Sequence, residues 1–167
     1  MLRQCPIDVL ICDFDGVLTD NFVYVDEAGM ESVRCSRSDG MAIEALVSIG
    51  IPVFIMSREK NAVVNVRAQK LRVEVLQAVN DKATALNSLA TKRGFCLTRT
   101  AFVGNDLNDL RAMALCGLRA CPSDAHEQVA AMCTHRLNTA GGFGVVRELV
   151  EKVLEVDIAK AIDMGRS

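Results

Sequence analysis

The sequence predicts an α/β fold: a parallel sheet covered by helices on both faces, in a three-layer, Rossmann-like arrangement. Short apolar runs alternate with helix-like segments along the whole chain, and the connections between them are brief. That rhythm favours parallel strands joined by helical crossovers. The polar residues that stand out directly follow apolar runs, which is where open α/β sheets bind ligands. The 167 residues are 50% hydrophobic and 24% charged, enough for one domain with a sizeable core. That domain is expected over residues 1–155, with a tail at 156–167.

Residues 8–13, with Val9-Leu10-Ile11-Cys12 as their apolar part, form the first expected strand. Residues 22–35 hold two alternating runs, Phe22–Val25 and Ser32–Cys35, around Glu27-Ala28-Gly29-Met30, the pattern of a β-hairpin flap. Asp39 is suited to cap a helix of about 40–48 that stops at Gly50. Ile51–Met56 reads as a buried strand whose proline falls near its start, where a missing N–H is tolerated. A helix over 60–70 leads to a short strand, Val73–Leu76. Asp81 opens a helix to about Arg93, stopped by Gly94, and Thr100–Val103 is a strand ending at Gly104. Helices over 106–115 and 124–132 flank the strand-like Leu118–Cys121, and Gly141-Gly142 precedes a last helix of about 143–155.

Composition excludes several classes. Net charge is −2 with Lys and Arg scattered, so there is no electrostatic footprint for nucleic acid. One Tyr and no Trp give no base-stacking platform. No apolar stretch reaches the ~18 residues of a membrane span. Asp8 interrupts the N-terminal apolar run, against a signal peptide. Seven cysteines without a Cys-x-x-Cys pair read as thiols of a reducing compartment, so a cytoplasmic protein is expected.

The chemistry concentrates at strand ends. Asp13 and Asp15 close the first strand, on the same side of an extended chain, and Gly16 lets the backbone turn beneath them. Two carboxylates at the rim of a core repel each other and lose hydration, which a cation or a reaction offsets. With Ser57, Lys82, Asn105, Asp106 and Asp109 at three further strand ends, the set suits a phosphate monoester. Asp13 is then the nucleophile that forms an aspartyl-phosphate, and Asp15 the acid that protonates the leaving alkoxide and later activates water. Mg²⁺ held by Asp13, Asp15, Asn105, Asp106 and Asp109 offsets the phosphate charge. Ser57, Arg58 and Lys82 are the phosphate-binding candidates.

Asp13-x-Asp15-Gly-x-Leu-Thr, Ser57, Lys82 and Gly104-Asn105-Asp106-x-x-Asp109 resemble, in that order, the four motifs of the haloacid dehalogenase superfamily, over residues 7–150. The hairpin, Asp39-Gly40, Arg67-Ala68-x-Lys70-Leu71, Val75-Leu76-Gln77 and Gly141-Gly142-Phe-Gly-Val-Val-Arg147-Glu148 are similar to its phosphatases of ulosonic sugar acids. That group includes the 3-deoxy-D-manno-octulosonate 8-phosphate and the nonulosonate (sialic-acid type) 9-phosphate phosphatases. Such phosphatases lack a cap domain, and here only a hairpin fits between Asp20 and Asp39, and one helix and one strand between Ser57 and Lys82. The resemblance implies a homotetramer whose hairpins pack together and whose neighbouring subunits cover each site. It offers Arg67, from a neighbour, and Arg147 as substrate-binding residues.

Two positions depart from the family pattern. Asn105 replaces an acid and loses a formal charge, which predicts weaker Mg²⁺ binding. The second motif reads Ser57-Arg58-Glu59; in the resembling group, Glu at the third position goes with nine-carbon acids and Arg with the eight-carbon one. Glu59 therefore favours a nonulosonate 9-phosphate, with octulosonate 8-phosphate next. The alternative is a catalytically weak oligomerisation module of the kind fused to sialic-acid cytidylyltransferases.

Overall fold

The computed structural model describes residues 5–165. Six parallel strands form one sheet in the order β5-β4-β1-β6-β7-β8. They are β1 Val9–Cys12, β4 Val53–Met56, β5 Glu74–Leu76, β6 Thr100–Val103, β7 Leu118–Cys121 and β8 His135–Arg136. The central β1 is flanked by β4 and β6, and all three are completely buried. Side-chain alternation sorts them into two cores. Leu10, Cys12, Val53, Ile55, Ala101 and Val103 face one layer of helices, while Val9, Ile11, Phe54, Met56 and Phe102 face the other.

The first layer contains α1 Arg37–Ser48, α2 Ala62–Leu71, α6 Val145–Glu148 and α7 Ile158–Gly165. The second contains α3 Lys82–Arg93, α4 Leu110–Met113 and α5 Glu127–Met132. The expected three-layer α/β architecture is therefore present. Between β1 and α1 lies only a hairpin, β2 Tyr24–Val25 with β3 Glu31–Ser32, and between β4 and α3 only α2 and β5. Among the described residues no helix is long and apolar enough to cross a membrane.

Several boundaries differ from expectation. Ser36, not Asp39, caps α1: its side chain accepts from the Ser38 N–H. Asp39 sits in the first turn and instead accepts from the Arg147 N–H at 2.9 Å, tying α1 to α6. The helix expected over 106–115 shortens to Leu110–Met113, because residues 105–109 wrap around the Asp109 carboxylate. The last helix changes pitch: after α6, Leu149–Val153 winds with a wider turn, and the Leu154 N–H bonds the Leu149 carbonyl. The tail is no loose end. Ile158, Ala161 and Ile162 are buried at helical spacing, and α7 packs on α1. Strand β8 had no pattern to announce it, being two exposed polar residues at the sheet edge.

The hairpin is shorter than the expected 22–35. Tyr24 and Val25 pair with Ser32 and Glu31, and an isolated bridge joins Thr19 to Cys35. Phe22, Tyr24, Val25 and Met30 are exposed, whereas Val33 packs against the first core.

Candidate active site

At the carboxyl ends of β1, β4 and β6 the chain leaves a cleft of about 520 Å³, within the usual range for a small-molecule site. Asp13, Asp15, Ser57, Arg58, Glu59, Asn105 and Asp106 all line it, so seven predicted residues from three strand ends meet in one place. Asn21, Lys60, Asn80 and Asn108 line it as well, although the motifs do not mark them. Asn108 lies inside the Asp106-x-x-Asp109 turn, and Asn80 directly precedes the Asp81 that caps α3. Position next to a motif was the only sequence signal for either.

Asp13 is 4% exposed. Its Oδ1 accepts from the Phe14 N–H at 2.7 Å and lies 2.8 Å from Lys82 Nζ. Both contacts fall on one oxygen, leaving Oδ2 without a protein partner among the described residues. Burial, then the charge of Asp109, raises the Asp13 carboxyl above its ordinary range, against the pull of Lys82. Asp15 is half-buried, and burial followed by the Glu59 charge raises it too. A raised carboxyl is suited to hold a proton and donate it.

Lys82 and Asp109 do not line the cleft. Lys82, fully buried, reaches behind Asp13 and bridges it to Asp109 Oδ1 at 2.7 Å. Burial disfavours its cation, but the two carboxylates outweigh that and hold Lys82 protonated. The second oxygen of Asp109 accepts the N–H groups of Asn105 at 3.0 Å and Asp106 at 3.3 Å. With both oxygens spent and no exposure, Asp109 anchors the loop and the lysine; it does not present an oxygen to a metal. Its expected place among the metal ligands would require one of these contacts to open. Lys82 likewise sits between two carboxylates, Asp13 and Asp109.

Gly16 and Gly104 make this packing feasible. A Cβ on Gly16 would lie 1.8 Å from Asn105 Nδ2, and one on Gly104 2.7 Å from the Asp109 carboxylate. Gly141 and Gly142 brace the same loop from behind. A Cβ on either would strike the backbone of Gly16 or Asp20, and the Gly142 N–H bonds the Val17 carbonyl at 3.0 Å.

The residues fit a divalent cation in a restricted way. Among the described residues no three His, Cys, Asp or Glu side chains converge on a metal site, so the expected five-residue side-chain shell is not assembled. Yet Lys82 neutralises only one of the two carboxylates it bridges. Asn105 Oδ1 is buried without a hydrogen-bond partner, in the cleft that Asp13 also lines. An unpartnered buried oxygen in a cleft lined by carboxylates is what a hard cation uses, and Mg²⁺ keeps several waters besides.

Ser57 is 1% exposed, and its Oγ accepts from the Glu59 N–H at 3.0 Å. Arg58, expected beside the phosphate, is exposed at the rim. Glu59 turns Oε1 onto the N–H groups of Lys60 and Asn61, at 2.6 and 2.8 Å. Arg67 and Arg147 stay outside the cleft of their own chain. Arg67 donates to the Ser36 carbonyl at 2.9 Å, and Arg147 Nε lies 2.6 Å from Glu151 Oε1, lining a separate hollow against α7. The expectation that Arg147 binds substrate finds no support in this arrangement.

Residues 54–149 match the family model described as haloacid dehalogenase-like hydrolase. A 3-deoxy-D-manno-octulosonate 8-phosphate phosphatase of Yersinia pestis is 31% identical over 153 residues, which are 91% of this chain and 82% of that protein. Among solved structures, a HAD-family hydrolase of Streptomyces avermitilis superposes with a TM-score of 0.87 at 37% identity, covering 90% of this chain and 87% of that one. A 3-deoxy-D-manno-octulosonate 8-phosphate phosphatase of Moraxella catarrhalis, in complex with magnesium, phosphate and the sugar acid KDO, superposes with a TM-score of 0.85 at 31% identity. That match covers 96% of this chain and 90% of the other.

Proposed function

The chain belongs to the haloacid dehalogenase-like hydrolases, and we propose that within them it is a Mg²⁺-dependent phosphatase of an acidic ulosonic sugar phosphate. The observation that carries this reading is the pairing of Asp13 with Asp15 in one cleft. Asp13 is buried, backed by the Lys82 cation and free at one oxygen, while Asp15 is less buried and raised in pKa. In this scheme Asp13 Oδ2 attacks phosphorus and the bond to the sugar oxygen breaks. Asp15 gives its proton to that oxygen. It then takes a proton from the water that cleaves the aspartyl-phosphate, releasing inorganic phosphate and restoring Asp13. Ser57 donates to a phosphate oxygen. Mg²⁺, held by Asp13, Asn105 and water, with Asp15 and Asp106 also within the cleft, would keep Asp13 ionised and offset phosphate charge.

The names of the relatives support octulosonate 8-phosphate as substrate. Glu59, by the resemblance of its motif, favours a nonulosonate 9-phosphate. The exposed apolar side chains of the hairpin, Phe22, Tyr24, Val25 and Met30, support a homotetramer packed through hairpins. In such an assembly Arg67 can reach substrate only across a subunit boundary. Phosphate release over octulosonate 8-phosphate, nonulosonate 9-phosphates and hexose phosphates tests the activity. Turnover should need Mg²⁺ and vanish in Asp13→Asn. A wild type inert towards every sugar-acid phosphate would favour the assembly-module alternative, to which the loss of charge at Asn105 lends some weight.

A further inference from the structure

We infer that Arg58 and Lys60 form the subsite that holds the carboxylate of the substrate, supplied by the same chain that supplies Asp13. The inference rests on the sugar-acid phosphatase reading. Both residues line the cleft, and both are exposed at its rim. Neither side chain has an ion pair or hydrogen bond among the described residues. That is unexpected in their setting, because four carboxylates line the same cleft: Asp13, Asp15, Glu59 and Asp106. Glu59, which stands between the two cations in sequence, points Oε1 back at the loop backbone instead.

Charge balance gives these unpaired cations a task. A substrate carrying a phosphate and a carboxylate enters a cleft whose wall is acidic. Lys82 is already engaged behind Asp13. Among the described residues Arg58 and Lys60 are the only cations on the lining, and they sit at the mouth, away from the buried floor where Ser57 and Asp13 would receive phosphate. Two free cations at the rim are placed to bind the second anion at the far end of the sugar. An Arg guanidinium offers a planar fork to a carboxylate, and Lys adds a point charge. The subsite selects acids over neutral sugar phosphates and leaves the chemistry at phosphorus untouched.

The test compares three phosphates with Mg²⁺ present: a nonulosonate 9-phosphate, the neutral ketose sedoheptulose 7-phosphate, and para-nitrophenyl phosphate. Arg58→Ala with Lys60→Ala should lower kcat/KM for the acid by roughly 10- to 100-fold, through KM, the scale of one or two charged contacts. The same variant should change the other two substrates less than about threefold, because transition-state contacts at phosphorus are kept. Arg58→Lys with Lys60→Arg should restore most of the preference. Equal losses on acidic and neutral substrates, or no loss on the acid, would overturn the assignment while leaving the phosphatase reading intact. A wild type that hydrolyses none of the three would overturn both.

Discussion

Asp109→Asn separates a structural role for this residue from a metal-binding one. In the wild type three donors converge on a carboxylate with no exposure: Lys82 on Oδ1, and the N–H groups of Asn105 and Asp106 on Oδ2. An amide has one acceptor oxygen and one donor nitrogen. If its oxygen faces Lys82, its NH₂ meets two N–H groups; if its oxygen faces the loop, its NH₂ meets an ammonium. Either orientation leaves a buried donor unpaired, at about 1–3 kcal/mol, and gives up a charge-assisted bond worth about 1.5–3 kcal/mol. Lys82 keeps Asp13 as a partner, so the total falls short of the roughly 3–5 kcal/mol of a fully broken buried pair. A loss of about 2–4 kcal/mol is expected. With a urea slope of about 2 kcal/mol/M, the unfolding midpoint should fall by about 1–2 M at unchanged slope. Urea titration followed by far-UV circular dichroism in metal-free buffer measures this directly. A variant that unfolds at the wild-type midpoint would refute the reasoning and return Asp109 to the ligand set.

Asp39 should make stability depend on pH. Burial pushes its carboxyl up to about 6, against the N–H groups of Arg147 and Val146 and the nearby Arg67. The folded state therefore holds this proton more tightly than the unfolded chain, and stability from this group falls as pH rises from about 4 to 6. Relative to Asp39→Asn, the wild type should gain about 1.4 kcal/mol between pH 8 and pH 5, read from paired urea midpoints; a constant gap would sink the assignment. Gly16→Ala should lower kcat at least about tenfold and cost about 1–3 kcal/mol, because φ is +77° and the new Cβ would displace the Asn105 amide. Wild-type kinetics in that variant would mean that the amide position is irrelevant. Asn105→Asp should lower the half-saturating Mg²⁺ concentration about tenfold by adding a charge where an unpartnered oxygen now lies. Phosphate release against Mg²⁺ concentration checks it, and an unchanged midpoint would remove Asn105 from the metal site.

Most of the site was legible because topology makes it so. In a parallel sheet every strand delivers its carboxyl end to the same edge, so residues directly after apolar runs had to converge. Asp13, Ser57 and Asn105 follow β1, β4 and β6 and meet as that rule requires. The rule fixes which edge a residue reaches, not which way its side chain turns. Asp106 and Asp109 look equivalent in sequence, yet one lines the cleft and the other is buried beneath it. Asp39 shows the same limit: Ser36-x-x-Asp39 carries a capping pattern, but Ser36 caps while Asp39 reaches across to a residue 108 positions away. Arg67 and Arg147 stand out in sequence by their motifs, yet their elements point them to other partners.

This limit bears on the chemistry as well as on bookkeeping of ligands. Had Asp109 faced the cleft, Lys82 would have been free to reach a phosphate and the metal would have had a dense carboxylate shell. With Asp109 turned inward, Lys82 is held between Asp13 and Asp109 and does not line the cleft. In the proposed reading, charge compensation on the open side comes from three sources: a cation at Asp13 and Asn105, the Ser57 hydroxyl, and the two unpaired cations at the rim. The neutral residue at position 105 and the basic pair at 58 and 60 belong to one balance. The first weakens the pull on phosphate at the floor of the cleft, and the second restores attraction for an acidic sugar at its mouth. Asn105→Asp should therefore raise turnover of the neutral ketose phosphate proportionally more than that of the acid. Parallel kcat/KM measurements at subsaturating Mg²⁺ decide it, and an equal gain on both substrates would separate the two ends of the cleft.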